Sequence, residues 1–303
     1  MEGIPTSATP GRLIAIGGAE DKTRERVILR CFLESAGTTG ADLVVLATAS
    51  EVPETGARYA ALFTDLGARS VEVLRIVNRE DALAAGREVI EHVERASGLF
   101  ITGGSQLRLS SALGGTALAA AVRRRHAEGM VVAGTSAGAS LLSEHMIALG
   151  DSGGTPRRRL VHLAKGLGLA PDLIIDQHFR RRDRLGRLLT ALSYNPGPLG
   201  LGVDEDTAAV IDPDGTLRVL GAAGVTIVDA SRMRFTNSHA VNRGQPLAML
   251  GLHVDFLTAG CRYDLTRRVG LPPEPAERAA RELAVSAGVA GIAGIAGIAG
   301  PVQ

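Results

Sequence analysis

The chain contains the run MVVAGTSAGA at residues 130–139, in which four apolar residues lead into a Gly-x-Ser-x-Gly pattern around Ser136. A strand that runs directly into this pattern and then into a helix, here the stretch at residues 139–144, is typical of a nucleophile elbow. Such a turn holds the serine hydroxyl out at the carboxyl end of a sheet. The free N–H groups at the start of that helix would stabilise negative charge near Ser136. An ordinary turn rich in small residues has the same pattern, so the prediction depends on partner residues elsewhere in the chain.

The segments around this run alternate between strand-like and helical patterns. Apolar runs occur at residues 13–16, 43–47, 71–76, 99–101 and 130–133, and helical stretches occur at residues 24–34, 56–66, 82–96 and 116–128. This alternation predicts an α/β fold with an open, mostly parallel sheet and helices on both faces. Residues 208–229 predict extra short strands in the C-terminal half, with a turn at residues 212–215.

We expect three parts along the chain: a flexible N-terminus at residues 1–10, a single α/β catalytic domain at residues 11–288 and a low-complexity tail at residues 289–303. The tail repeats Gly-Ile-Ala three times and has no acidic, basic or aromatic residue. We therefore expect it to be disordered and to have no catalytic role. Within the domain, the polar loop at residues 151–159 is a candidate lid.

A serine hydroxyl needs a base within reach, and the base needs an acceptor that orients it. Among the seven histidines, His178 follows the apolar run at residues 173–175 and lies at a predicted strand end, where active sites of open α/β sheets form. His126 lies in a charged helical stretch and is expected on a solvated face. Three adjacent acids at residues 204–206 interrupt another strand-like stretch. They would repel one another unless one had a partner, although a turn would also explain them.

Six motifs, in this order along the chain, resemble those of the cyanophycinases, a branch of the peptidase family that also contains the aspartyl dipeptidases of peptidase E type. They are IGGAED at 16–21, FITGGSQL at 100–107, GTSAGA at 134–139, DQHF at 176–179, RLGRL at 184–188 and GVDEDTA at 202–208. The resemblance implies a serine-type exopeptidase that hydrolyses cyanophycin (multi-L-arginyl-poly-L-aspartate) to β-aspartyl-arginine dipeptides. In this polymer an arginine is joined to each β-carboxyl of an aspartate backbone. A homodimer is usual among such proteins.

The resemblance also implies roles for individual residues. Ser136 is the implied nucleophile, His178 the general base and then acid, and Glu205 the acceptor that orients the histidine. The backbone N–H of Ala137 is one expected oxyanion-hole donor by elbow geometry, and that of Gly104 is the expected second donor.

Arginines after His178 are the candidates for substrate recognition. A guanidinium group binds a carboxylate bidentately, and each arginyl branch of the polymer carries a free carboxylate. The family pattern selects Arg182, Arg184 and Arg187, whereas helical spacing would align Arg180, Arg184 and Arg187. A solvated helix face is the other interpretation of such a charge run.

The arginine side chains of the substrate need acceptors, and the matching positions are Gln106, Asp176 and Gln177. Ser105 stands where the family commonly has an aspartate. This difference puts one charge contact with the substrate in doubt.

Composition excludes several other classes of function. The net charge of +1 provides no electrostatic argument for a nucleic-acid partner. The two cysteines are too few and too far apart for a disulfide framework or a metal cluster, which suits a reducing compartment. His253 and Asp255 have no third ligand at suitable spacing, so we expect no metal and no cofactor. Without a signal peptide or an apolar run long enough to span a bilayer, we expect a cytoplasmic protein with no membrane partner.

Three alternatives remain at this point. An aspartyl dipeptidase of peptidase E type would share the elbow but should lack the arginines after the histidine. A non-catalytic binding protein on the same fold would not need Ser136, His178 and Glu205 together. An esterase of the α/β-hydrolase type places its acid before its histidine, whereas Glu205 follows His178 here.

Overall fold

A computed structural model describes residues 9–274 of the chain, with helices concentrated in the first two thirds of it. The helices are α1 (Val27–Ser35), α2 (Thr55–Asp65), α3 (Arg79–Ala84), α4 (Arg87–Arg95), α5 (Gln106–Leu113), α6 (Ala117–Ala127), α7 (Ala137–Leu141) and α8 (Leu185–Tyr194). The strands are β1 (Leu13–Ile16), β2 (Asp42–Leu46), β3 (Ser70–Leu74), β4 (Gly98–Ile101), β5 (Val131–Thr135), β6 (His145–Gly150), β7 (Val161–Lys165), β8 (Leu173–Gln177), β9 (Leu199–Val203), β10 (Thr207–Ile211), β11 (Thr216–Gly221), β12 (Gly224–Asp229), β13 (Phe235–Thr236), β14 (Met249–Leu250), β15 (His253–Thr258), β16 (Arg262–Asp264) and β17 (Val269–Leu271).

The central sheet has nine strands in the order β17-β16-β11-β10-β1-β5-β4-β2-β3. The strands from β1 to β3 in this order are all parallel to one another, and the remaining strands extend the sheet in antiparallel fashion beyond β1. The predicted α/β fold with a mostly parallel central sheet is therefore confirmed, and so are the additional short strands of the C-terminal half.

Helices cover both faces of the parallel part. Because successive side chains of a strand point to opposite faces, Leu13 and Ala15 of β1 join one apolar cluster and Ile14 and Ile16 join the other. The first cluster includes side chains from α4, α5 and α6, and the second includes side chains from α1 and α2. The second cluster centres on four aromatic rings with centroid separations between 4.7 and 6.4 Å, which belong to Phe32, Tyr59, Phe63 and Phe100.

A second sheet of four strands, in the order β15-β12-β9-β8, was not anticipated from the sequence. β8 and β9 are parallel neighbours in it, so their carboxyl ends lie side by side. Leu188 and Leu192 of α8 pack with Ile174 of β8 in an apolar cluster on this sheet. His178 follows β8 and Glu205 follows β9, whereas Ser136 follows β5 of the central sheet. The candidate site therefore lies where the two sheets meet.

Several local predictions differ from the structure. The helix predicted at residues 82–96 is two helices. Asn78 caps the start of α3 with a capping box, and α3 ends at Ala84. Gly86 is the N-cap of α4, so the two helices are separate. α7 ends at Leu141, since His145 already begins a strand paired with β7. His126 is buried rather than solvated, and its Nδ1 lies 3.2 Å from the carbonyl oxygen of Met130.

The two ends of the chain, for which the sequence makes predictions, lie outside the described residues. This applies to residues 1–8 of the predicted flexible N-terminus, to the end of the predicted domain and to the predicted disordered tail at residues 289–303. Between residues 9 and 274, no helix is both long and apolar enough to cross a membrane.

Candidate active site

Ser136 occupies a tight turn between β5 and α7. Its backbone has φ 53° and ψ −116°, a conformation that residues with a β-carbon rarely adopt. The Ser136 N–H donates to the carbonyl oxygen of Ile16 at 2.9 Å. A β-carbon at Gly134 would collide with the backbone of Gly138, and one at Gly138 with the backbone of Ile101. The two glycines of the Gly-x-Ser-x-Gly pattern therefore allow β5, α7 and β4 to approach closely.

The side chains of Ser136, His178 and Glu205 form a hydrogen-bonded row. The Oγ of Ser136 lies 3.0 Å from Nε2 of His178, and Nδ1 of His178 lies 2.6 Å from Oε1 of Glu205. The two flanking acids bind elsewhere: Asp204 accepts hydrogen bonds from the backbone and side chain of Arg180, and Asp206 accepts one from the backbone N–H of Asp21. Of the three adjacent carboxylates, Glu205 is the one that meets the imidazole.

Burial lowers the pKa of the His178 ring below its ordinary value of 6.5, because a charged imidazolium is poorly solvated there. The hydrogen bond that His178 donates to Glu205 opposes this effect, and the positive charges of Arg182 and Arg184 add to it. The ring is therefore neutral near pH 7 and can accept a proton from Ser136.

The loop after β1 contacts all three segments that carry the row. The carbonyl oxygen of Gly17 accepts from the N–H of His178 at 2.8 Å, and that of Gly18 accepts from the N–H of Asp206 at 2.9 Å. Together with the bond from Ser136 to Ile16, these contacts join the loop to the turns after β5, β8 and β9. The sequence signal was the motif at residues 16–21, whose contribution to the site was not assigned from the sequence.

The expected oxyanion-hole donors are the backbone N–H groups of Ala137 and Gly104. Neither Ala137, at the start of α7, nor Gly104 donates its N–H to an acceptor within residues 9–274. Gly104 has φ 142°, and a β-carbon there would collide with the backbone of Ala49. A β-carbon at Gly103 would lie 2.9 Å from Cβ of Ser136, so Gly103 lies directly against the serine. Gly103 is a contact that the sequence analysis did not single out.

Asp176 and Arg187 form an internal ion pair. Asp176 is fully buried, and its carboxylate receives two hydrogen bonds from Arg187, Nε to Oδ2 at 2.6 Å and Nη2 to Oδ1 at 2.5 Å. The third nitrogen of Arg187 donates to the carbonyl oxygen of Gly150 at 3.0 Å. Each side chain is buried and paired with the other, and the expected contact of both with substrate stays a prediction.

Arg184 lies beside this pair, at the N-terminus of α8. It is 8% exposed, and its Nη1 donates to the carbonyl oxygen of Gln177 at 2.7 Å. Its Nε is buried without an acceptor. Burial lowers the pKa of Arg184 to about 10. The positive charges of Arg187 and Arg182 also lower this pKa, whereas the negative charge of Asp176 raises it. This guanidinium therefore has hydrogen-bonding capacity that the described residues do not use.

Arg182 is exposed, and it pairs with no carboxylate in the described part of the chain. Its N–H donates to the carbonyl oxygen of His178 at 3.0 Å, which fixes its backbone next to the imidazole. Arg180, the alternative from helical spacing, is bound to Asp204 with Nε 2.5 Å from Oδ2. Because α8 begins at Leu185, both arginines precede the helix, and the helical-spacing argument does not apply to them.

The expected amide acceptors lie near the serine and at the start of α5. The Oε1 of Gln177 is 3.4 Å from Oγ of Ser136, and Gln106 is a half-buried residue at the first position of α5. Ser105 caps this helix, since its side chain accepts from the N–H of Arg108 at 3.3 Å. A serine at this position can thus perform the capping function that an aspartate would perform.

A cavity elsewhere in the fold and the metal-ligand candidates do not coincide with this row. A cavity of about 820 Å³ lies at the opposite ends of the strands, where Leu13, Leu173 and Leu199 begin β1, β8 and β9. His253 and Asp255 approach each other to 3.1 Å. Across residues 9–274, no group of three or more potential ligands could hold a metal ion.

Comparison with known proteins places the chain in a family. The model of the family described as Peptidase family S51 matches residues 13–219. The chain is 45% identical over 267 residues to a cyanophycinase of Trichormus variabilis, covering 88% of this chain and 89% of that protein. It is 45% identical over 261 residues to a cyanophycinase of Synechococcus elongatus, covering 86% and 80% of the two chains. A cyanophycinase of Geminocystis herdmanii is 43% identical over 254 residues, covering 83% and 93%.

Two solved structures share the fold. A peptidase from an acI-B1 actinobacterium superposes with a TM-score of 0.62 at 22% identity, covering 84% of this chain and 97% of that one. A putative peptidase E protein from Listeria monocytogenes superposes with a TM-score of 0.51 at 17% identity, covering 71% and 100%. At these identities the likeness concerns the fold alone.

Proposed function

The chain belongs to peptidase family S51, and we propose that it is a cyanophycinase, a serine-type exopeptidase that hydrolyses cyanophycin to β-aspartyl-arginine dipeptides. One observation carries the proposal: a chain 45% identical to curated cyanophycinases over most of its length has Ser136, His178 and Glu205 in hydrogen-bonded order. Acyl transfer by a serine requires a base beside the hydroxyl and a carboxylate that accepts a hydrogen bond from that base.

The first half of the proposed reaction forms an ester. Oγ of Ser136 attacks the carbonyl carbon of a backbone amide while Nε2 of His178 takes the hydroxyl proton. The negative charge on the carbonyl oxygen is stabilised by the N–H groups of Ala137 and Gly104, to which we add Gly103 because it lies against the serine. His178 then gives its proton to the leaving amine as the amide C–N bond breaks.

The second half releases the product. A water molecule attacks the ester carbon and loses a proton to His178, and the proton returns to Oγ of Ser136 when the ester bond breaks. Throughout the cycle Glu205 accepts a hydrogen bond from Nδ1 and stabilises the imidazolium whenever it forms. These steps consume one water molecule and use side chains and backbone N–H groups of the protein.

For substrate binding we propose two layers of residues. Arg182 and Arg184 bind the free carboxylate of an arginyl branch, Arg184 through hydrogen-bonding capacity that the described residues do not use. Gln106 and Gln177 accept hydrogen bonds from the guanidinium of the same branch. Asp176 and Arg187 support this layer from the interior, because their pair fixes the strand end from which Gln177 projects. Arg182, exposed and without a carboxylate partner between residues 9 and 274, supports a cyanophycinase over a peptidase E type dipeptidase, which needs no such cation.

The expected homodimer and cytoplasmic location remain part of this proposal. Sedimentation of the purified protein tests the first, and fractionation of cells that produce it tests the second.

The proposed activity is tested by incubating the purified protein with insoluble cyanophycin and analysing the supernatant by mass spectrometry. Release of β-aspartyl-arginine as the main soluble product supports it. Release of free arginine or of longer fragments, or no release, would overturn it. Simple aspartyl dipeptides serve as the second substrate, since a peptidase E type enzyme would prefer them.

A further inference from the structure

Glu20, in the loop after β1, is a buried carboxylate with several donors. It is 3% exposed, and its Oε1 accepts a hydrogen bond from the hydroxyl of Tyr59 and lies 2.9 Å from Nζ of Lys22. Its Oε2 accepts from Oγ1 of Thr135 at 2.7 Å. A buried carboxylate is costly unless donors satisfy it, so a position that retains one has a specific use for its hydrogen bonds.

The bond to Thr135 places Glu20 next to the nucleophile in the chain. Thr135 is the last residue of β5, and Ser136 follows it with a positive φ that other residues must hold in place. Hydrogen bonds to a charged acceptor are stronger than those between neutral groups. Glu20 therefore ties the residue that precedes the serine to the loop after β1.

The same loop positions the base. Gly17 accepts the N–H of His178, and Gly18 lies so close to the ring that a β-carbon there would be 2.5 Å from Cε1 and Nε2. Glu20 follows Gly18 by two residues, so its bond to Thr135 joins the support of the histidine to the support of the serine. The separation of 3.0 Å between Oγ and Nε2 depends on both supports.

We propose that Glu20 is a positioning residue for the reaction. It touches neither substrate nor the reacting atoms, and it acts by holding Thr135, and hence Ser136, in register with His178. This inference rests on the proposed serine mechanism. Losing the support leaves the substrate contacts of Arg182 and Arg184 intact, so the expected effect is on kcat rather than on KM.

A purely structural role makes a different prediction. In that case Glu20 would only attach the loop to α2 through Tyr59, and any loss of activity would follow the loss of folded protein. Two matched variants separate these roles, because each removes one hydroxyl donor from the same carboxylate. Thr135→Val removes the donor beside Ser136, and Tyr59→Phe removes the donor on α2.

The experiment compares Glu20→Gln, Thr135→Val and Tyr59→Phe with the unmodified protein. A fluorophosphonate probe that reacts with activated serines provides the number of reactive sites and the rate constant for phosphonylation of Ser136. Cyanophycin hydrolysis provides kcat and KM. The phosphonylation rate does not depend on which substrate the enzyme has evolved to cleave.

We expect Glu20→Gln and Thr135→Val to lower both kcat and the phosphonylation rate constant about 10- to 100-fold, the loss typical of one charge-assisted hydrogen bond. KM and the number of reactive sites should stay within about twofold, and Tyr59→Phe should retain most of the rate, because it leaves Thr135 bound to Glu20. Rates within twofold of the unmodified protein for Glu20→Gln and Thr135→Val would overturn the inference. So would a loss of reactive sites that accounts for the whole loss of activity.

Failure of the proposed function produces a distinct result. If the unmodified protein reacts with the probe but releases no β-aspartyl-arginine, the substrate assignment is wrong while the role of Glu20 is still measured by phosphonylation.

Discussion

The imidazole of His178 lies directly on the α-carbon of Gly18, so that a β-carbon at this glycine would be 2.5 Å from ring atoms Cε1 and Nε2. Nε2 is also the atom that faces Oγ of Ser136. The absence of a side chain at Gly18 thus allows the position of the His178 ring.

Gly18→Ala should displace the His178 ring and lower kcat at least tenfold, because misplacing a base by a fraction of an ångström weakens proton transfer. The matched control is Gly67→Ala, since Gly67 also has a positive φ, 101° against 94°, but no atom lies within 4 Å of its added β-carbon. Both variants carry a similar backbone strain, so kcat per folded molecule isolates the effect on the ring. Equal kcat values for the two variants would contradict this explanation.

The pH dependence of kcat/KM should show the lowered pKa of His178. Since burial lowers the pKa of the ring below about 6.5, the neutral, basic form persists to lower pH, and the acidic limb of the profile should have its midpoint below that value. Arg182→Gln removes a positive charge that contributes to the lowering, so it should move the midpoint upward. A small activated ester is the suitable substrate, because it does not need Arg182 for binding. A midpoint above 6.5 in the unmodified protein, or a downward shift in the variant, would show that the histidine is not the titrating base.

The buried pair of Asp176 and Arg187 should matter for stability. Arg187→Ala removes two hydrogen bonds and the nearer cation from a fully buried carboxylate and leaves Nη1 of Arg184, 3.5 Å from Oδ1, as its remaining cation among the described residues; breaking such a buried pair typically costs about 3–5 kcal/mol in the free energy of unfolding. Arg182→Ala changes an exposed side chain without a carboxylate partner in the described residues, and its effect should lie within about 0.5 kcal/mol. Urea denaturation followed by circular dichroism measures both. If Arg187→Ala were as stable as Arg182→Ala, Arg187 would not have the internal role described above.

Substrate specificity should depend on Arg182. Losing one charge-assisted contact to the arginyl carboxylate should reduce kcat/KM for cyanophycin roughly tenfold or more. The same Arg182→Ala variant should hydrolyse the activated ester at nearly the unmodified rate. Arg181→Ala is the control, since Arg181 is an exposed neighbour that neither the family pattern nor the helical spacing selects. Equal losses of Arg182→Ala on both substrates would mean that Arg182 supports the catalytic residues instead of binding substrate.

The three candidates for the row could be found from the sequence because each follows an apolar run that ends in a distinctive motif. Ser136, His178 and Glu205 are separated by tens of residues, but each follows a strand that the apolar pattern predicts. Parallel strands carry their carboxyl ends to the same edge, which brings His178 and Glu205 together after β8 and β9, whereas the approach of Ser136, after β5 of the other sheet, depends on how the two sheets meet.

Other features depend on distances that local patterns do not contain. The assignment of β8 and β9 to a separate sheet depends on pairing with β12 and β15, far along the chain. Asp176 and Arg187 were expected to face the substrate because their side-chain chemistry suits it, yet they satisfy each other in the interior. The burial of Glu20 was not deduced, because it requires donors from both α2 and the end of β5.

The proposal that Ser136 is the nucleophile of a peptidase acting on cyanophycin is tested by measuring the turnover of cyanophycin by Ser136→Ala. Circular dichroism first establishes that the variant is folded. Because the serine and its base act as a unit, we expect the rate of β-aspartyl-arginine release to fall on the order of 10⁴-fold or more. Release of the dipeptide by folded Ser136→Ala at a rate near that of the unmodified protein would show that Ser136 is not the nucleophile.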